Sequence, residues 1–264
     1  MKTLRRILPA LSLVSLMTLS ACDVLQQVAA QNLPLTQEEI IAGLKSALSV
    51  GADTAVGTLS RTNGYLGDAA VKILLPQEVQ QVVDKLNGSS AGRAIYQNAL
   101  RPLIDDMVTS LNRSAEDAAQ RAVPIFGSAI RNMTIRDGVN ILYGADTAAT
   151  HYLRSNTYSQ LFNAFQPSIN SSLDKPLVGG RSANSIYGEF VRVYNQAANN
   201  PLNVFLRLES IDDPSLSNYV TGRALDGLFV KVAREEEMIR EDPVHRVNDI
   251  LKRVFGRADA QNQG

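Results

Sequence analysis

From about residue 36 onward, apolar side chains return every three or four positions, the repeat of an α-helix with one buried face. The first such stretch is announced by Thr36-Gln37-Glu38-Glu39, a capping box in which the threonine oxygen and the glutamate side chain satisfy each other's orphan amides. Ile40, Ile41, Leu44, Ala47, Leu48, Ala55 and Leu59 then mark one face. Arg61-Thr62-Asn63-Gly64 is a turn. Val71 to Leu75 is a short apolar run, either a strand or an extended lead-in to a helix that Pro76 opens and that runs to about Leu86. Asn87-Gly88-Ser89-Ser90 ends it.

The pattern resumes at Arg93 and holds to about Ala122, with a break or kink expected at Pro102 and another at Pro124. A short helix over Phe126–Met133 follows, then one opened by Thr134 and Asp137 and stopped by Gly144. Asp146 is expected to cap a long helix carrying Ala149, Tyr152, Leu153, Leu161, Phe162 and Phe165. Residues 175–182 form a loop and 185–198 another helix. Leu202, Val204, Leu206 and Leu208 alternate, which is the second place for a short strand. Asp213-Pro214 and Asp242-Pro243 each predict a helix start. The last helix is expected to end near Phe255-Gly256, leaving 257–264 as a disordered polar tail. Eight or nine helices and at most two short strands predict an all-α fold, a single bundle-like domain over residues 35–256. No internal repeat suggests a solenoid.

The first 21 residues do not belong to that domain. Lys2, Arg5 and Arg6 precede an apolar run from Ile7 to Leu19 that is shorter than the ~20 residues of a membrane-spanning helix. This is the layout of a secretory signal. Its end, Leu19-Ser20-Ala21-Cys22, resembles the lipobox of bacterial lipoproteins. In that family the cysteine thiol is alkylated with diacylglycerol, the signal is cut before it and the new amine is acylated. Only a thiolate is nucleophilic enough for the thioether, and several acyl chains give firm anchoring at ~0.8 kcal/mol per buried CH₂. The expectation is therefore a lipidated Cys22, a polar tether over 22–34 and an envelope location facing the periplasm. Asp23 resembles the signal that retains lipoproteins in the inner membrane.

Composition narrows the chemistry. The 26 basic and 26 acidic residues balance, so no nucleic-acid surface of bulk positive charge is expected. A single cysteine excludes a disulfide framework and a cysteine-cage metal site. The two histidines, His151 and His245, stand in no metal-binding spacing. Gly127-Ser128-Ala129 and Gly180-Arg181-Ser182 lack the nucleophile-elbow spacing, no P-loop appears and no G-x-G-x-x-G follows a strand, so no catalytic set, metal or cofactor is implied. Asp226 lies beside an apolar helical stripe (Leu225, Leu228, Phe229, Val232) and next to a mid-helix glycine, Gly227. Such a carboxylate needs a partner, and an Asp–Arg pair or a helix-end hydrogen bond is the plainer expectation. Close packing of another backbone would explain the glycine. Glu235, Glu236 and Glu237 read as a solvated face, with Glu236 and Arg240 in favourable i,i+4 order.

Several stretches resemble one bacterial envelope family, domain of unknown function 4197. They are Ser110–Glu116, Met133-Thr134-Ile135, Ala148–Leu153, Ala224–Phe229, Ile239–Pro243 and Ile250–Gly256. The likeness covers about residues 33–256. It implies an exported helical domain, often lipoprotein-like, and carries over no catalytic residue. Asn112, Glu116, Thr150, Asp226 and Arg240 lie in these stretches and are the candidate polar lining of a ligand site.

Three functions follow as expectations. The first is a non-enzymatic lipoprotein, held to a membrane by its lipid anchor, that binds an envelope protein or a small ligand in a helical cleft. The second is a hydrolase or transferase with Glu116 or Asp226 as general base. The third is a carrier of an apolar molecule between helices.

Overall fold

The computed structural model describes residues 36–88, 90–177, 179–199, 209–213, 215–246 and 249–262. Among these the protein is all-α, with ten α-helices and no strand. They are α1 (Gln37–Leu59), α2 (Gln77–Asn87), α3 (Ser90–Ile95), α4 (Arg101–Ala119), α5 (Ala122–Arg131), α6 (Ile135–Leu142), α7 (Ala148–Leu173), α8 (Ala183–Ala198), α9 (Leu216–Glu241) and α10 (Asp249–Asn262). The signal, Cys22, Asp23, the whole tether and the alternating run Leu202–Leu208 lie outside the described residues.

The long helices α7 and α9 lie side by side; α4 packs against both, α1 packs against α9, α5 lies between α1 and α7, and α10 lies on α1. Their apolar stripes meet in one continuous core. On α7 the buried positions Leu153, Thr157, Leu161, Phe165, Ile169 and Leu173 recur every fourth residue. On α9 Val220, Ala224, Leu225 and Leu228 are wholly buried. None of the described helices is long and apolar enough to cross a membrane.

The local signals act largely as expected. Thr36 and Thr134 both form complete capping boxes, with Glu39 and Asp137 respectively. The Asp137 carboxyl is held below its usual range by the Thr134 hydroxyl and amide. Pro102 sits in the first turn of α4, and the expected break takes the form of a π-helical turn, Tyr96–Leu100, joining α3 to α4. The second break falls earlier than expected: α4 stops at Ala119, and Pro124 lies within the first turn of α5, where its missing N–H costs nothing.

Pro167 lies inside α7, which continues through it to Leu173; the buried stripe on both sides of the proline outweighs the one lost backbone bond. Other expectations are corrected. Asp146 does not cap α7, whose N-cap is Thr147 without a side-chain bond. Helix α9 begins at Ser215, whose hydroxyl accepts from the Asn218 amide, two residues after Asp213. Asp242-Pro243 opens a 3₁₀ turn, Pro243–His245, before α10. That last helix runs to Asn262, past the end expected at Gly256; the residues beyond it include no proline and no further glycine before 264. Val71 closes a turn on Asp68, Lys72–Leu75 belong to no helix or strand, and the isolated bridge Pro176–Ser182 is the β-type pairing among the described residues.

Candidate functional site

The five candidate residues separate into three places. Asn112 and Glu116, four residues apart on α4, both reach the connection between α1 and α2. The Asn112 side chain is completely buried. Its Oδ1 accepts from the Ile73 amide at 2.8 Å and its Nδ2 donates to the Ile73 carbonyl at 2.8 Å, with a further bond to the Val108 carbonyl at 2.7 Å. An amide that both accepts from and donates to one residue imitates the neighbouring strand of a sheet. Glu116, 4% exposed, accepts from the Tyr65 and Leu66 amides at 3.2 Å each and from Arg113. Arg113 also donates to the Asn63 side chain at 2.8 Å, and Asn63 takes the left-handed conformation, φ 69°, that asparagine tolerates. The two α4 side chains hold an otherwise irregular segment in place.

Thr150 and Arg240 come together through a residue that had read as solvated. Glu236 is buried, not on a wet face. Its carboxylate accepts from the Ala149 amide at 3.0 Å and from the Thr150 amide and hydroxyl at 2.8 Å each. It thereby caps the start of α7 from α9, in place of Asp146. Arg240 pairs with the same carboxylate at 2.9 Å and donates to the Ile141 carbonyl at 2.9 Å, near the end of α6. A carboxylate at a helix N-terminus and a guanidinium at a C-terminus are each on the favourable side of the macrodipole. This knot joins three helices.

Asp226 stands apart and is about half exposed. It takes the Arg154 guanidinium at 2.8 Å, the Asp–Arg pair expected, and the same guanidinium lies 5.2 Å from the ring centroids of both Tyr158 and Phe229. A Cβ on the adjacent Gly227 would come within 2.9 Å of the Tyr65 ring and 3.1 Å of the Val71 side chain. The close approach is therefore of side chains from the 65–71 segment, not of another backbone. Tyr65 itself, unremarked in the sequence, is fully buried and donates its hydroxyl to the Ala224 carbonyl at 2.8 Å. Burial first, and the Glu116 charge second, push its phenol far above the usual range.

Of the five, Asp226 borders a large open groove. A groove of about 760 Å³ runs between residues 70–80 and the first half of α9. Tyr219, Arg223, Asp226 and Val230 form its α9 side, and Lys72 and Leu74 its other lip. Leu74 and Val230 are each about half exposed. The Tyr219 hydroxyl bonds the Leu74 and Leu75 carbonyls at 3.0 and 3.3 Å, which fixes the width of the groove at one end. Arg240 and Glu236 border instead an apolar void of about 30 Å³ between α1 and α9, room for roughly one water. A third, polar basin of about 360 Å³ lies between α4 and the end of α7, beside Arg113, Asp117 and Lys175. No group of three histidine, cysteine, aspartate or glutamate side chains is placed to hold a metal among the described residues.

The groove is the candidate feature that periodicity could not find, because Leu74 and Tyr219 on its two walls lie 145 residues apart in the chain. One signal was present: exposed Leu74 and Val230 interrupt otherwise well-ordered amphipathic patterns.

Neither the curated proteins nor the solved structures contain a match to this chain. A family model does match, over residues 34–256, nearly the whole described domain. The chain accordingly belongs to the family described as protein of unknown function (DUF4197).

Proposed function

We propose that this protein is a bacterial envelope lipoprotein, anchored through diacylated Cys22, whose helical domain is a non-enzymatic binding module using the groove between residues 70–80 and α9. The observation that carries the binding reading is the contrast between that groove and the rest of the polar interior. Asn112, Glu116, Thr150, Glu236 and Arg240 all spend their hydrogen-bonding capacity on backbone and on each other. The groove instead presents Lys72, Leu74, Arg223 and Val230 to solvent, the mixture of apolar and charged groups that marks a recognition surface. Anchoring is supported by the basic start, the short apolar run and the Leu19–Cys22 signature.

The general-base alternative gains little from the site. The Glu116 carboxylate is occupied by two amides and a guanidinium, and Asp226 is paired with Arg154. An apolar carrier would need a dry cavity of several hundred Å³, and the apolar void holds about 30 Å³.

Mass spectrometry of the native protein from its own envelope tests the proposal. The expected N-terminus is Cys22 bearing diacylglycerol and an amide-linked acyl chain, and Cys22→Ser shifts the protein from the membrane to the soluble fraction. An uncleaved, unmodified chain defeats the anchoring. For the groove, a photo-crosslinking residue at position 223 captures an envelope component that the same residue at the remote exposed position 136 does not; equal capture at both defeats the assignment.

A further inference from the structure

The lip of the groove has the side-chain alternation of a strand without a sheet. From Val71 to Leu75 side chains alternate: Val71, Ile73 and Leu75 are buried, while Lys72 and Leu74 face out. In extended backbone the N–H and C=O of successive residues point to opposite edges. One edge is closed, because Asn112 takes both main-chain groups of Ile73. On the other edge the Leu74 carbonyl accepts from Tyr219 and the Lys72 amide turns back to Asp68. The Leu74 N–H and the Lys72 C=O have no partner among the described residues. They sit one residue apart along the groove, the spacing at which an incoming strand donates once and accepts once.

Charge selects what would lie there. Lys72 and Arg223 both border the groove and are exposed. Arg223 sits 5.9 Å from the Tyr219 ring centroid, and neither cation meets a carboxylate within salt-bridge distance among the described residues. Asp226 is neutralised by Arg154. Glu78, the other acid bordering the groove, lies toward α8, where its charge helps to raise the Tyr187 and Tyr194 phenols. The end of the groove beside Lys72 and Arg223 therefore carries uncompensated positive charge.

The geometry points to strand addition: the groove binds an extended, acidic polypeptide segment that pairs main chain to main chain with Lys72 and Leu74. Apolar side chains of the segment cover Leu74 and Val230, and an aspartate or glutamate meets Lys72 and Arg223. Backbone pairing supplies affinity and the alternate side chains supply selectivity. This deepens the binding assignment of the groove and rests on it.

The test uses the chain from residue 22 with Cys22→Ser and a randomised library of seven-residue peptides. Enriched peptides are expected to alternate apolar and polar positions and to contain acids. The best of them should slow hydrogen exchange at the Leu74 amide, fast in the free protein, by about tenfold or more, and should lose about tenfold in affinity on N-methylation of the amide facing the Lys72 carbonyl, as one backbone hydrogen bond predicts. Leu74→Pro, which deletes the donor in a segment already extended, should weaken binding similarly. Arg223→Glu, on an exposed side chain, should reverse the preference for acids. Strand addition is overturned if no peptide is enriched, if the Leu74 amide is already protected in the free protein, or if affinity is indifferent to N-methylation in every register. A dimer that dissociates on Leu74→Asp overturns the peptide in favour of a second copy. Specific crosslinking at position 223 with an unprotected Leu74 amide defeats strand addition alone; no specific capture and no peptide defeats the groove as well.

Discussion

Asn112 shows what a single buried amide can do when the segment it holds has no regular structure of its own. Its two bonds to Ile73 stand where a neighbouring strand would stand, and its third ties it to its own helix. Asn112→Leu fills the same volume but orphans the Ile73 amide and carbonyl in the interior. Each buried unsatisfied group costs about 1–3 kcal/mol, so a loss of about 2–4 kcal/mol in stability is expected from denaturant unfolding. Asn112→Asp should cost at least as much, because a buried carboxylate would face the Ile73 and Val108 carbonyls without a donor or counter-charge. At Gly227 two opposed effects compete. Alanine gains about 1 kcal/mol of helix propensity, but its methyl meets a tyrosine fixed at both ends, by Glu116 at the amide and Ala224 at the hydroxyl. Overpacking of this kind costs about 1–3 kcal/mol. Gly227→Ala is therefore expected to lower thermal stability, and Tyr65→Phe combined with it should not restore it, since the clash is with the ring edge.

At the scale of elements, helix ends are joined across the fold rather than along the chain. Glu236 replaces a local cap for α7, and Arg240 closes α6. Removing the carboxylate while keeping the shape, as in Glu236→Gln, leaves the Arg240 charge without its partner in a mostly buried position. Breaking such a pair costs about 3–5 kcal/mol, which for a domain of this size is a drop of roughly 6–20 °C in Tm at about 2–4 °C per kcal/mol. A surface pair gives the contrasting case: Arg192→Ala, which breaks the exposed bridge to Glu189, should move Tm by no more than about 2 °C. The Asp68–Lys231 pair ties the α1–α2 connection to α9. The hydrogen bond from Lys231, and then the Ala70 amide, hold the Asp68 carboxyl below its ordinary value. A depressed folded-state pKa contributes stability that is full above the unfolded value, near pH 4, and lost as pH falls below it. The stability difference between the wild type and Asp68→Asn should therefore be present at pH 7, shrink below about pH 4 and be smallest near pH 2, which thermal melts across that range would reveal.

For the molecule as a whole, the proposed anchor and the proposed binding groove are separable. Cys22→Ser should release the protein from membranes without changing its melting temperature, because the domain starts its first helix at the Thr36 capping box. Groove substitutions such as Arg223→Glu should do the reverse, leaving membrane association intact. A variant that lost both properties together would indicate that the domain, rather than the proposed acylation of Cys22, holds the membrane.

The residue pattern by itself determined the all-α class, the two capping boxes, the proline-marked break before α4, the stop at Gly144 and most helix positions, because these depend on side-chain periodicity and on contacts three or four residues apart. It also pointed to the family. Sequence reading missed the burial of Glu236 and the role of Tyr65, since each depends on what packs against the residue from elsewhere. Asn112, Glu116, Thr150 and Arg240 lie in the stretches that resemble the family, yet whether they face a cavity or a backbone is decided only when α4 meets the 65–75 segment and α9 meets α7. The groove likewise exists only because an extended segment near residue 74 and a helix face near residue 223 are brought side by side. Local signals act over one turn of chain, while burial and open space are properties of surfaces that the chain brings together from far apart.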